Sequence, residues 1–150
     1  MKKERHKIVP ASYLVLMKDD KIMLLRRFNT GYEDGNYSMI AGHVDSGENF
    51  TQCIIREAKE EADVDLNPCD LKVACVMNRN SHTKDDNERV DLFFVAKKWK
   101  GEVKNMECHK CDDLSWFDLN EIPENTIPYI KRVIENIKNG VFYDECGWEE

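Results

Sequence analysis

The chain has 150 residues, the size of one ordinary domain, with 41% hydrophobic and 34% charged residues, which excludes a disordered or fibrous protein. Twenty-nine acidic against 22 basic side chains give a net charge of −7, the wrong sign for a nonspecific nucleic-acid binder, which needs a basic face to displace counterions. No apolar run approaches the roughly 20 residues of a membrane span, and the basic stretch Met1–Lys7 leads only into the short apolar run Ala11–Met17 with no cleavage pattern behind it. A cytoplasmic protein without a membrane partner is expected. The cysteines at 53, 69, 75, 108, 111 and 146 fit reduced thiols. Cys108 and Cys111 have the spacing of half a zinc site, but no second pair matches it, so structural zinc is not expected.

The apolar runs Leu14–Met17 and Ile22–Leu25, split by Lys18-Asp19-Asp20-Lys21, predict a hairpin of two buried strands. Phe28–Tyr37, with Gly31 and Gly35, predicts a loop, and Ser38–Ala41 a short strand ending at Gly42. A helix is predicted from about Asn49 to Ala62. Strands are predicted over Leu71–Asn78 and Val90–Trp99, joined by a polar tract from Arg79 to Arg89 long enough to carry function. Leu114–Phe117 predicts another short strand. Ile127, Ile130, Val133, Ile134 and Ile137 recur at helical spacing, with Thr126 as N-cap, Pro128 in the first turn and Gly140 at the C-cap. The order β-β-β-α-β-β-β-α predicts an α/β fold, a mixed sheet with helices on its faces, in one domain over residues 1–150.

The most informative helix is the first. On a wheel of about 100° per residue, Phe50, Ile54, Ile55, Ala58 and Ala62 form one apolar stripe, and Arg56 and Lys59 fall on the far side. Glu57, Glu60 and Glu61 cluster, with Glu61 at the edge of the apolar stripe itself. A solvated acidic face would sit opposite that stripe. Three carboxylates leaning toward the protein body repel one another, and partial burial adds to the cost. A hard divalent cation with oxygen ligands is the economical counter-charge. A charged surface helix, with Arg56 and Glu60 paired at i,i+4, is the plainer alternative.

The stretch Gly42–Val64 resembles the Nudix box. Gly42, Glu48, Arg56-Glu57, Ala58, Glu60-Glu61 and Val64 fall in its register, and Asp63 stands where the family carries the glycine that ends the helix in a left-handed turn. Asp tolerates that conformation at a cost of roughly 1 kcal/mol. The resemblance extends to Arg26-Arg27 and to the stretches from Trp99 to Glu102 and from Leu114 to Pro123, which are similar to MutT-like members. It implies an α-β-α sandwich with a mixed sheet.

It also implies a hydrolase that cleaves a pyrophosphate bond in a nucleoside triphosphate or related small nucleotide, releasing the monophosphate and pyrophosphate. By position, Glu57, Glu60 and Glu61 resemble the ligands of Mg²⁺ or Mn²⁺, with a backbone carbonyl near Ala41 or Gly42 completing the shell. The family leaves the general base open, Glu57 serving so in some members. Glu48 and Arg56 resemble residues that orient the loop and helix. Glu107 occupies the region that supplies a further metal ligand, and is equally read as an exposed loop acid. Arg27, Gly42 and His43 stand where the substrate phosphates are met. Strand alternation sends only one of Arg26 and Arg27 inward. Tyr37, Phe94, Trp116 and Phe117 are the aromatic candidates for stacking on a base, and equally core residues. Alternatives are a nucleotide-sugar or ADP-ribose pyrophosphatase, against which Arg79, Asn80 and Ser81 stand where such members carry proline or tyrosine, and a non-catalytic nucleotide-binding module. A homodimer stays open.

Overall fold

A computed structural model describes residues 1–80 and 88–148. Ser81 and most of the polar tract between the two central strands lie outside the described residues.

Strand β1 (Val9–Lys18) turns through Asp19, at φ 55°, into β2 (Lys21–Arg27), with Met17 opposite Ile22. Next come β3 (Tyr37–Ser38), β4 (Ile40–His43), helix α1 (Phe50–Ala62), a 3₁₀ turn at Pro68–Asp70, β5 (Leu71–Arg79), β6 (Arg89–Ala96) and β7 (Cys111–Asp118). Helix α2 (Pro128–Lys138) and β8 (Tyr143–Cys146) complete the described elements. The described strands form an eight-stranded sheet in the order β3-β2-β1-β6-β5-β8, with β4 added to β1 and β7 to β2. It is mixed: β1 runs parallel to β6, and β5 parallel to β8, while the other pairs are antiparallel.

The unbroken apolar run of β1 reflects burial on both faces. Leu14 and Leu16 join Ile54, Ala58, Ala62, Phe94 and Ala96 beneath α1. Tyr13 and Val15 point the other way and pack with Ile130, Val133 and Ile134 of α2.

The single short strand predicted over Ser38–Ala41 is two strands, because Ser38 pairs with Leu25 of β2 while Ile40 pairs with Leu14 of β1. The strand predicted to reach Trp99 stops at Ala96. Thr126 does not cap α2. Ile127 is the N-cap residue, without a side-chain hydrogen bond, and the Thr126 hydroxyl donates to the Pro123 carbonyl at 2.7 Å. Pro128 opens the helix, and Gly140, at φ 70°, follows the Asn139 cap. Strand β8 is not predicted. It is tied to α2 by Arg132, whose Nε and Nη2 donate to the two oxygens of Asp144 at 2.7 and 2.8 Å.

A buried ion pair locks β5 to β6. Arg79 Nε donates to Asp91 Oδ2 at 2.9 Å, and the guanidinium lies 3.8 Å from the centre of the Tyr129 ring. Both side chains are buried. Asp91→Ala would strand a cation in the core, and a loss of about 3–5 kcal/mol is expected in urea unfolding.

Candidate active site

Three backbone devices build the site. First, α1 starts at a full capping box: Asn49 Oδ1 accepts from Gln52 N at 2.8 Å, and Gln52 Oε1 accepts from Asn49 N at 2.9 Å. Second, α1 ends in the expected left-handed residue, Asp63, at φ 55° and ψ 32°, whose N–H donates to the carbonyls of Ala58 and Lys59. Third, the segment after Trp99 satisfies carbonyls at the helix end. Lys104 N donates to Ala62 O at 3.0 Å, and Met106 N to Glu61 O at 3.1 Å. That anchorage sets Glu107 opposite the acidic edge of α1.

Arg56 is the hub of the loop and helix. Its Nε and Nη2 donate to Glu48 at 3.1 and 2.7 Å, its Nη1 to Glu57 Oε1 at 2.7 Å and to Glu60 Oε2 at 3.4 Å, and its Nη2 also to the His43 carbonyl at 3.3 Å. The wheel had sent Arg56 toward water. The structure folds it back instead, because a guanidinium can reach past its own helix face. Arg56 first, then the Asp45 N–H, holds the Glu48 carboxyl down at about 2. Glu48 is tied to the loop by the Asp45 N–H and to α1 by Arg56, and does not line the cleft described next.

Glu57, Glu60, Glu61 and Glu107 line one cleft of about 470 Å³, together with Arg27, Asn29, Thr30 and Lys110 and an apolar side of Leu25, Cys111 and Leu114. That volume suits a small ligand. Glu57 packs against Gly42 so closely that a Cβ there would fall 2.0 Å from its Oε1 and 2.6 Å from its Cγ. Glu61 Oε2 accepts from Ala41 N at 3.1 Å. Burial pushes the Glu61 carboxyl well above the usual carboxylate range, with Glu57 and Glu107 adding repulsion. Burial also raises Glu57, against the pull of Arg56. Glu60 is the exposed member.

Among the described residues, no three acidic, imidazole or thiol side chains are drawn together as a ready-made cation site. Glu57 is turned to Arg56 and Glu61 to a backbone N–H. The donor set nevertheless fits a hard divalent ion: the available ligands are oxygens, and two partly buried carboxylates carry repulsion that a cation would relieve.

Arg27, and not Arg26, lines the cleft; Arg26 Nε donates to Asp112 at 2.7 Å. The Arg27 guanidinium is clamped. Its Nε donates to the Tyr32 carbonyl at 2.6 Å and its Nη2 to Thr30 Oγ1 at 3.0 Å, and its guanidinium lies 5.3 Å from the Tyr32 ring centre. Asp34 staples that loop by accepting from the Thr30 hydroxyl and from the backbone N–H groups of Thr30 and Gly31. Asp34→Asn is expected to raise KM several-fold with kcat nearly unchanged, measured by steady-state kinetics, because it loosens Arg27 without touching a carboxylate of the cleft.

The remaining candidates lie elsewhere. Gly42 underlies Glu57, and the exposed His43 turns its Nε2 to Arg89 at 3.2 Å, outside the cleft lining. None of the four aromatic candidates lines the cleft. Phe94 is core, Tyr37 packs edge-on to Phe117, and Trp116 stacks on Trp99 at 5.7 Å. Sequence reasoning missed Lys110, Asn29 and Thr30. Lys110 sits three residues after Glu107, a spacing that one turn brings to one side. The six cysteines are free thiols.

The family model described as the NUDIX domain matches residues 7–137. The curated protein named NAD-capped RNA hydrolase NudC from Pseudomonas aeruginosa is 28% identical over 117 residues, covering 78% of this chain and 38% of that protein. The chain spans about two-fifths of the length of the curated relatives it matches. A crystal structure of a MutT NUDIX hydrolase from Burkholderia pseudomallei superposes with a TM-score of 0.79 at 22% identity, covering 87% of this chain and 98% of that one. A bifunctional NMN adenylyltransferase/ADP ribose pyrophosphatase from Francisella tularensis, complexed with AMP and a manganese ion, superposes with a TM-score of 0.72 at 14% identity, covering 89% of this chain and 42% of that one. The chain belongs to the NUDIX family. No described helix is long and apolar enough to cross a membrane.

Proposed function

We propose that the protein hydrolyses a pyrophosphate bond in a nucleoside triphosphate or related nucleotide, releasing the monophosphate and pyrophosphate, with Mg²⁺ or Mn²⁺ in the carboxylate cleft. The observation that carries this reading is the gathering of Glu57, Glu60, Glu61 and Glu107 in one cleft with Arg27 and Lys110. Glu57, Glu60, Glu61 and Glu107 would hold the ion. When bound, it would neutralise phosphate oxygens and lower the pKa of a coordinated water.

The chain's own groups do the rest. Arg27, fixed by Thr30 and Tyr32, presents two charged donors to the phosphate chain, and Lys110 adds a point charge. Arg56 sets the rotamer of Glu57 through a 2.7 Å bond and ties it to Glu48. A cleft carboxylate not engaged by the ion would take the proton from the attacking water. The free thiols suit a reducing, cytoplasmic setting.

A second reading, a nucleotide joined through pyrophosphate to another moiety, draws on the NudC relatives, whose name states an NAD-capped substrate. A panel of nucleoside triphosphates, ADP-ribose, NAD and NAD-capped RNA, followed by chromatography of the products, tests both. Release of pyrophosphate from a triphosphate supports the first, and two monophosphates from NAD the second. EDTA should abolish turnover and Mg²⁺ restore it. Nucleotide binding without turnover of any panel member would overturn both.

A further inference from the structure

Strand β1 is ten residues, about 33 Å, whereas α2 is eleven residues, about 16 Å. The helix therefore covers only part of the sheet face it packs on. It covers the Tyr13 end, where Tyr129 and Ile130 pack, and stops at Gly140. Beyond it lies a groove of about 730 Å³, on the opposite face of the sheet from the carboxylate cleft.

Its floor follows from strand register. Val15 pairs with Val95 and Val95 with Lys72, so the three share one face across β1, β6 and β5, and Met17 and Ile22 extend the row. Ile134 and Ile137 of α2 form a wall. The rim is cationic: Lys72, Lys97, Lys98 and Lys138 line the groove, with Asp70 as the acid among them. Lys138 pairs with Glu135 at 3.1 Å. Among the described residues, Lys72, Lys97 and Lys98 make no ion pair. Four lysines at one apolar groove, in a chain of net charge −7, form a local field opposite in sign to the whole.

We propose that this groove is a second binding site, for a single-chain aliphatic anion: a hydrocarbon tail along Met17, Val95 and Ile137, and a phosphate or carboxylate head among the lysines. The lining favours a tail over a nucleobase. It is aliphatic apart from Phe142, which is exposed, and it offers no buried amide or hydroxyl side chain to read base edges. The lysine stems extend the apolar surface while their heads stay in water. The site stands independently of the function proposed above.

The test uses dodecyl phosphate below its micelle concentration, with dodecyl maltoside, dodecyltrimethylammonium and inorganic phosphate as the neutral, cationic and tail-free comparisons. Calorimetry should give saturable one-to-one binding for dodecyl phosphate, at least tenfold tighter than for the other three, with a rise in Tm. Methyl resonances of Met17, Val95 and Ile137 should shift, and those of Leu25 and Leu114 in the carboxylate cleft should not. The surface variant Lys97→Glu/Lys98→Glu should weaken binding at least tenfold. Ile137→Trp, which fills the groove, should abolish it; should that variant misfold, the lysine variant carries the test. Equal binding of the neutral amphiphile, equal binding of phosphate alone, shifts confined to the cleft, or an unchanged affinity in the lysine variant would each overturn the proposal. So would concentration-dependent dimerisation lost in the lysine variant, which would assign the groove to a second copy of the chain.

Discussion

Glu61→Gln is expected to abolish turnover, by at least about a hundredfold in kcat, while raising the Tm of the metal-free protein. The amide keeps a carbonyl oxygen for the Ala41 N–H, which the carboxylate now accepts at 3.1 Å, so the backbone register of β4 should survive. What disappears is a buried negative charge that burial, Glu57 and Glu107 all disfavour. Each kcal/mol relieved should lift Tm by about 2–4 °C. The pH dependence follows with a definite sign. A carboxyl whose folded pKa lies above its unfolded value of about 4.3 binds more protons folded than unfolded between the two, so stability falls as pH rises through that window. The metal-free wild type should therefore lose Tm between about pH 4.3 and the raised value, and Glu61→Gln should flatten that slope. Glu60→Gln provides the contrast. Its side chain is 52% exposed, so activity should fall with little change in metal-free Tm. Differential scanning fluorimetry in EDTA across pH, beside phosphate-release kinetics, measures both. A Glu61→Gln protein that is destabilised yet active would contradict the role assigned to that carboxylate.

Gly42→Ala should be nearly as damaging to activity, by a different route. The added methyl would sit 2.0 Å from Glu57 Oε1, 2.2 Å from Cδ and 2.6 Å from Cγ. Moving the tip alone does not relieve the Cγ contact, so Glu57 must change rotamer and leave its 2.7 Å bond to Arg56. A carboxylate displaced by about 1 Å in a site of this kind costs on the order of a hundredfold in rate. Stability should change little by comparison, because the clash is with a partly exposed side chain and not with backbone. Titrating Mn²⁺ by calorimetry should show weakened binding in Gly42→Ala. Wild-type affinity together with wild-type rate would show that Glu57 does not hold the ion.

Much of this site was legible in the sequence because helical spacing alone puts Glu61 at the edge of the apolar stripe of α1, where a surface acid has no reason to be. The hairpin and α2 were legible for the same kind of reason, a clear period or an unbroken apolar run. What stayed hidden depends on contacts far apart in the chain. Strand β8 is short and polar, and exists because Arg132 grips Asp144 and β5 offers an edge. The split of β3 from β4 reflects two different pairing partners, which no local pattern records. The place of Glu107 in the cleft depends on the fastening of its segment to α1, which no local pattern records. The pairing of Arg56 with Glu60 at i,i+4 is legible from spacing, whereas its reach to Glu48 and Glu57 is not, because a wheel projects Cα positions and ignores the length of the side chain. The clamp on Arg27 comes from a loop whose hydrogen bonds leave no periodic trace.

The bonds from Lys104 and Met106 to the final carbonyls of α1 join main chain to main chain. The side chains of Glu102, Lys104 and Met106 can then vary without moving Glu107, whereas Gly101, at φ 95°, and Asn105, whose side chain accepts from the Glu107 N–H at 3.1 Å and donates to the Cys111 carbonyl at 2.7 Å, cannot, and inserting or deleting one residue there would slide Glu107 out of reach of Glu61. Drift in this segment should be permissive at Glu102, Lys104 and Met106 and strict in length, which makes those three positions a place to graft new recognition contacts beside the cleft while leaving its acids in position.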